Sequence, residues 1–132
     1  MNKRIYLDTC VIIDFLLGRD SSAYELIMRA VDCMYFAIIS DLVLEELKFQ
    51  KYLREAQIFI SLLKNANKIR ICKYSQKEVE DAKKLAENYE THRNDALHKL
   101  LAKRENVDYL VTKNVKDFVC FTDIIIKKPR EL

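Results

Sequence analysis

At 132 residues the chain is long enough for one hydrophobic core but short for two, so residues 1–132 are read as a single domain. Half of the residues are apolar, a third are charged, and there is one glycine and one proline, which excludes a disordered or fibrous chain and favours a compact, helix-rich one. The formal charge of +3 suits a polyanionic partner without demanding one. No uncharged apolar run reaches the roughly 18 residues of a membrane span, and the start lacks a signal-peptide pattern, so a cytoplasmic protein with no membrane contact is expected.

The stretch RIYL reads as a short buried first strand. Thr9 is placed to cap a helix through CVIIDFLL, closed by Gly18, which leaves Asp8 at a strand-to-helix junction. A second helix is expected over SSAYELIMRAVDCM, with Leu26, Ile27, Ala30 and Val31 on its apolar face, followed by a strand YFAIIS and a helix from Asp41. The long segment DLVLEELKFQKYLREAQIFISLLKNA fits one bent helix or two joined ones, with no glycine or proline to decide.

KIRICKY offers a third strand. The next helix, SQKEVEDAKKLAENYE, starts with Ser75 and Glu78 at capping-box spacing. NDALHKLLAKREN supplies a further helix with Ala96, Leu97 and Leu100 inward, DYLVT a fourth strand, and residues 124–126 a fifth stopped by Pro129. Apolar strands alternating with helices predict an α/β fold. Its mostly parallel central sheet of four or five strands carries helices on both faces, and ligands collect beyond the carboxyl ends of the strands. Cys10, Cys33, Cys72 and Cys120 are too widely spaced for a zinc hairpin or a redox pair and read as free thiols.

Position separates four acids from the other sixteen. Asp8 ends a buried strand, where a lone carboxylate is costly to desolvate; the competing reading is a helix cap. Glu46 lies nearer the apolar side of its helix than its neighbour Glu45, which favours it as the inward carboxylate over a surface one. Asp95 sits in the first turn of a late helix, and His98, three residues on, can reach the same side, although a lone histidine is more often simply packed; His92 has less support. Asp117 follows the fourth strand with Thr112 and Asn114, a group that can hold a water or phosphate oxygen or simply satisfy a turn. Four such acids repel one another unless a cation neutralises them, and hard oxygen donors suit Mg²⁺ or Mn²⁺.

As a set, YLDTCVIIDFLLG, ISDLVLEEL, NDALHKLLA, DYLVTKNVKDF and IIIKKPREL resemble the PIN domain, the small metal-dependent ribonuclease fold used by the toxins of VapBC toxin-antitoxin pairs. The resemblance spans nearly the whole chain and implies a three-layer sandwich. It implies that Asp8, Glu46, Asp95 and Asp117 bind Mg²⁺ or Mn²⁺ and act in catalysis, with Thr112 and Asn114 supporting them from behind; Asp14, more than one helical turn after Asp8, is expected at the rim or helping to orient the site rather than on the metal. The implied reaction is endoribonucleolytic hydrolysis by metal-activated water, leaving a 5′ phosphate and a 3′ hydroxyl. A VapB-like antitoxin and a homodimer are implied as partners. Cys10 stands where a small hydroxyl residue is common, and HKLLA where alanine and threonine are frequent. Lys48, Lys51, Arg54, Lys113 and Lys116 offer positive charge to RNA phosphates or serve as a solvated face. Two rival readings stand beside the enzyme: a noncatalytic RNA-binding or protein-interaction module of the same fold, and a Mg²⁺-dependent receiver-like domain, whose paired acids are poorly matched.

Overall fold

The computed structural model describes residues 2–132. Along the chain run β1 (Lys3–Leu7), α1 (Thr9–Leu17), α2 (Ser21–Val31), β2 (Tyr35–Ser40), α3 (Asp41–Phe49), α4 (Leu53–Asn65), β3 (Ile69–Cys72), α5 (Gln76–Tyr89), α6 (Arg93–Arg104), β4 (Tyr109–Val111) and β5 (Ile126–Lys127). The strands form one sheet in the order β3-β2-β1-β4-β5, and every pairing is parallel. The expected parallel α/β sandwich, flanked by helices, is what the chain forms.

The apolar strands explain the burial. Ile5, Tyr6 and Leu7 of β1, Ala37, Ile38 and Ile39 of β2, and Leu110 and Val111 of β4 are fully enclosed, each large aliphatic side chain contributing about 2 kcal/mol by leaving water. β1 is central, and connections leave it toward β2 on one side and arrive at β4 on the other. Strand order therefore reverses between β1 and β4, where a crevice opens past the carboxyl ends. The chain ends β1 with Leu7 paired to Val111, so Asp8 and Thr112 emerge side by side at that point.

Several boundaries differ from expectation. Asp8, not Thr9, caps α1: its carboxylate accepts from the Thr9 amide at 2.8 Å, and Thr9 is already helical. The long apolar segment is two helices, because Lys51 adopts φ +68° and turns the chain. The Lys51 amide bonds the Lys48 carbonyl at 3.1 Å and the Tyr52 amide that of Leu47 at 2.8 Å, a Schellman closure. Cys33, Asn67 and Asn106 close α2, α4 and α6 through the same left-handed step, so helix ends that glycine usually marks are here carried by side-chain-bearing residues. This stops α2 at Val31, short of the expected Met34. α5 starts on the expected capping box of Ser75 and Glu78. α6 begins one residue early, at Arg93, and β5 lies at Ile126–Lys127, because only these two residues find partners in β4. On α6, Leu97, Leu101 and Ala102 are buried with Ala96, while Leu100 is half-buried.

Candidate functional site

Parallel strands deliver their following residues to one edge, and three elements meet there. Asp8 stands at the start of α1, Glu46 is on the second turn of α3, and Asp95 is in the first turn of α6. Asp8 is nearly buried, 7% exposed. Its Oδ1 accepts from the Thr9 amide, while its Oδ2 accepts from the Thr112 hydroxyl at 2.8 Å and faces the Cys10 thiol at 3.5 Å. The Thr112 oxygen is itself fixed by the Asn114 amide at 3.0 Å. Thus Thr112 backs Asp8 directly, whereas Asn114 contributes its main chain and leaves its side chain exposed.

Glu46 is held from three directions. Thr9 Oγ1 donates to Oε1 at 2.6 Å, His98 Nε2 lies 2.7 Å from the same oxygen, and Asn94 Nδ2 donates to Oε2 at 3.2 Å. Burial alone would raise the Glu46 carboxyl, but the His98 imidazole, with Thr9 and Asn94, holds it below the usual range. Glu45 is exposed, as its position beside the inward glutamate requires.

Sequence context favours a simply packed His98, and the structure gives it a larger part. It is 1% exposed, with Nε2 3.6 Å from Asp8 Oδ1 and Nδ1 2.7 Å from the Tyr6 hydroxyl, which in turn lies 2.6 Å from Ser40 Oγ. Burial opposes charge on this ring, but the hydrogen bond with Glu46 and the charge of Asp8 raise its pKa above the ordinary histidine value. Donor atoms of Asp8, Glu46 and His98 lie within 4.8 Å of one another, a cluster able to coordinate a divalent cation. The i, i+3 spacing from Asp95 is the one sequence signal that points His98 toward this site.

Asp95 is half-buried, and burial together with the charge of Asp8, then of Asp117, raises its carboxyl to about 6 despite relief from His98. Asp117 ends a single helical turn, Val115–Asp117, close enough for its charge to act on Asp95. The strand edge therefore gathers all four acids singled out from the sequence. Among the described residues no lysine or arginine pairs with any of them. Oxygen donors in excess of neighbouring positive charge fit a hard divalent ion.

Asp14 sits behind this edge, more than one turn further along α1. It is 2% exposed and neutralised by Arg19 at 3.2 Å and Lys113 at 3.3 Å, so it steadies the turn after α1 and the residue following Thr112. His92 is exposed at the start of α6. Lys99, the other unusual residue of HKLLA, is buried along its stem and pairs with Asp123 at 2.9 Å, with its ammonium 5.4 Å from the Phe121 ring centre. Burial and the Asp8 charge push the Cys10 thiol up to about 12. Lys48, Lys51, Arg54, Lys113 and Lys116 are all exposed.

A doubly wound parallel sheet with a candidate metal-binding cluster at its topological switch point defines the class of protein. The PIN domain profile matches residues 5–119, and the chain belongs to that family. Its fold is also that of solved toxin-antitoxin structures. A chain of VapBC2 from Rickettsia felis, solved bound to a DNA fragment from their promoter, superposes with a TM-score of 0.68 at 23% identity, covering 95% of this chain and 98% of that one. VapBC-1 from nontypeable Haemophilus influenzae gives 0.68 at 20% identity, with 96% and 98% covered. FitAcB from Neisseria gonorrhoeae gives 0.64 at 16%, with 97% and 99% covered. No curated protein matches the chain. Among the described residues no helix is long and apolar enough to cross a membrane.

Proposed function

We propose that the protein is a Mg²⁺- or Mn²⁺-dependent endoribonuclease and the toxin of a type II toxin-antitoxin pair. The observation that supports this best is the convergence of Asp8, Glu46, Asp95 and Asp117 on one strand edge of a PIN domain with no lysine or arginine, and a single imidazole, to balance them. In this reading Asp8 and Asp95 hold the principal ion and Glu46 shares it, kept in place by Thr9, His98 and Asn94. Bound there, the ion would polarise a phosphodiester oxygen and lower the pKa of an attacking water. Thr112 fixes the rotamer of Asp8, so the carboxylate needs no rearrangement when a cation arrives. Asp117 orients the water or a second ion from the rim. The exposed Lys48, Lys51, Arg54, Lys113 and Lys116 contact RNA phosphates, which positions the strand without reading its sequence.

The toxin part of the reading draws on the VapBC and FitA-type complexes whose chains share the fold. Ile58 and Leu62 of α4 and Phe49 of α3, 88% exposed, leave apolar surface for a VapB-like antitoxin and for a second copy in a homodimer.

The test is cleavage of total cellular RNA with mapped ends, by the full chain and by Asp8→Asn, with Mg²⁺, with Mn²⁺ and with EDTA. Metal-dependent cleavage leaving 5′ phosphates, reduced by about 100-fold or more in Asp8→Asn while the fold is retained, is expected. Equal cleavage by both proteins would remove this site assignment. RNA binding without cleavage across broad substrates would instead favour the noncatalytic module.

A further inference from the structure

His98 occupies a place that a spacer or a simple packing residue does not explain. Its Nε2 faces two carboxylates at once, 2.7 Å from Glu46 Oε1 and 3.6 Å from Asp8 Oδ1. Ligand atoms that share one ion at about 2.1 Å stand about 3.0–3.4 Å apart, for right-angle and tetrahedral arrangements respectively. The observed separations bracket that interval, so adjustments of a few tenths of an ångström bring Nε2 to the spacing of shared ligands with either carboxylate, and all three donor atoms lie within 4.8 Å of one another.

The other face of the ring is built for the same role. Nδ1 lies 2.7 Å from the Tyr6 hydroxyl, and that hydroxyl lies 2.6 Å from Ser40 Oγ. Tyr6, Ser40 and His98 are all fully enclosed, and the Tyr6 and His98 rings meet edge-on with centres 5.6 Å apart. A hydrogen-bond chain running Nδ1–H to Tyr6 and Tyr6 O–H to Ser40 fixes the ring, so that a cation taking the place of the Nε2 proton now donated to Glu46 meets the Nε2 lone pair aimed between the carboxylates. Metal-binding histidines are fixed in this way, through a partner on the nitrogen that does not touch the ion. Water has no access to Tyr6 or Ser40 to compete for that chain.

We infer that His98 is a nitrogen ligand of the cation site, so that Asp8, Glu46 and His98 form a mixed nitrogen-oxygen centre that takes Mn²⁺ in preference to Mg²⁺. The inference rests on the metal-site reading above and narrows it. Mg²⁺ holds to oxygen donors and gives up its waters reluctantly, whereas imidazole suits transition-series ions. The relay through Tyr6 and Ser40 is what distinguishes this centre from one made of carboxylates alone.

Mn²⁺ alone, added to the full chain without RNA, is the probe. Pulsed electron paramagnetic resonance should show imidazole nitrogen coupled to the bound Mn²⁺, changing its pattern when histidine is labelled with ¹⁵N. The chain has two histidines, so His92→Gln should keep the coupling and His98→Asn should lose it. Calorimetric titration should show His98→Asn weakening Mn²⁺ by about tenfold or more while Mg²⁺ changes by less than about threefold. Mn²⁺ bound to the wild type with no histidine nitrogen coupling overturns the inference and leaves the nuclease reading standing, as does an equal loss of both ions in His98→Asn. The wild-type spectrum and the His92→Gln control decide the matter even if His98→Asn does not fold. A wild type that neither binds a divalent ion nor cleaves RNA overturns both readings.

Discussion

At the end of α6, Glu105 accepts from Arg70 Nε at 2.7 Å and from Arg104 Nε at 3.3 Å, Arg104 reaches Glu78 at 2.7 Å, and Arg4 donates to the Glu105 carbonyl at 3.0 Å. Burial works against the Glu105 charge, but Arg70 and Arg104 hold its pKa below the usual range. At the start of the same helix Asp95 joins Asp8, Glu46 and Asp117 with one imidazole among them, and its pKa rises instead. One end of α6 is electrostatically closed and the other is open. A fold selected only for stability has reason to build the first end and none to build the second.

The loss of RNA cleavage set out for Asp8→Asn is the largest expected effect and belongs to the open end alone. At the closed end, Glu105→Ala leaves Arg70 and Arg104 without their partly buried acceptor. It should cost about 1–2 kcal/mol in denaturant unfolding while cleavage changes by less than about twofold. A Glu105→Ala variant that folds normally but loses the proposed RNA cleavage would erase the division between the two ends. The smallest effect concerns Cys10, whose thiolate the open end disfavours. In the native protein at pH 8, iodoacetamide should alkylate Cys10 about 100-fold more slowly than the exposed Cys33, as peptide mapping after brief exposure would show. Comparable labelling of the two would mean that burial and the neighbouring carboxylate do not hold the proton on the Cys10 thiol.

Legibility differed between these regions for physical reasons. The carboxyl edge announced itself because each acid interrupts or adjoins an apolar run, as Asp8 does after RIYL and Glu46 does beside Leu42, Val43 and Leu47. The choice of Glu46 over Glu45 followed from helical geometry and agrees with their exposures. His98 was underweighted because its partners Tyr6, Ser40 and Glu46 come from three other elements, and only tertiary folding assembles them. The ion pairs of Asp14 with Arg19 and Lys113 join the turn after α1 to the residue following Thr112, partners that its nearness in sequence to Asp8 does not reveal. The split between α3 and α4 was hidden because Lys51, rather than glycine, takes the left-handed step.

The idea that the open end awaits a divalent cation is tested most directly by thermal unfolding of the wild type and Asp95→Asn, in EDTA and with Mn²⁺. The folded-state carboxyl of Asp95 sits near 6, above its ordinary 3.8. The folded protein therefore binds more protons than the unfolded chain between those values. Without metal, this contribution is fully present below about pH 4 and is lost as pH rises through about 6, costing about 1–2 kcal/mol at pH 8 after allowance for solvent screening. At pH 8 in EDTA, Asp95→Asn should melt several degrees above the wild type, about 4 °C for each kcal/mol. Mn²⁺ should raise the wild type by at least as much and the variant by far less. A wild type indifferent to Mn²⁺, or an Asp95→Asn protein no more stable than wild type in EDTA, would contradict the claim.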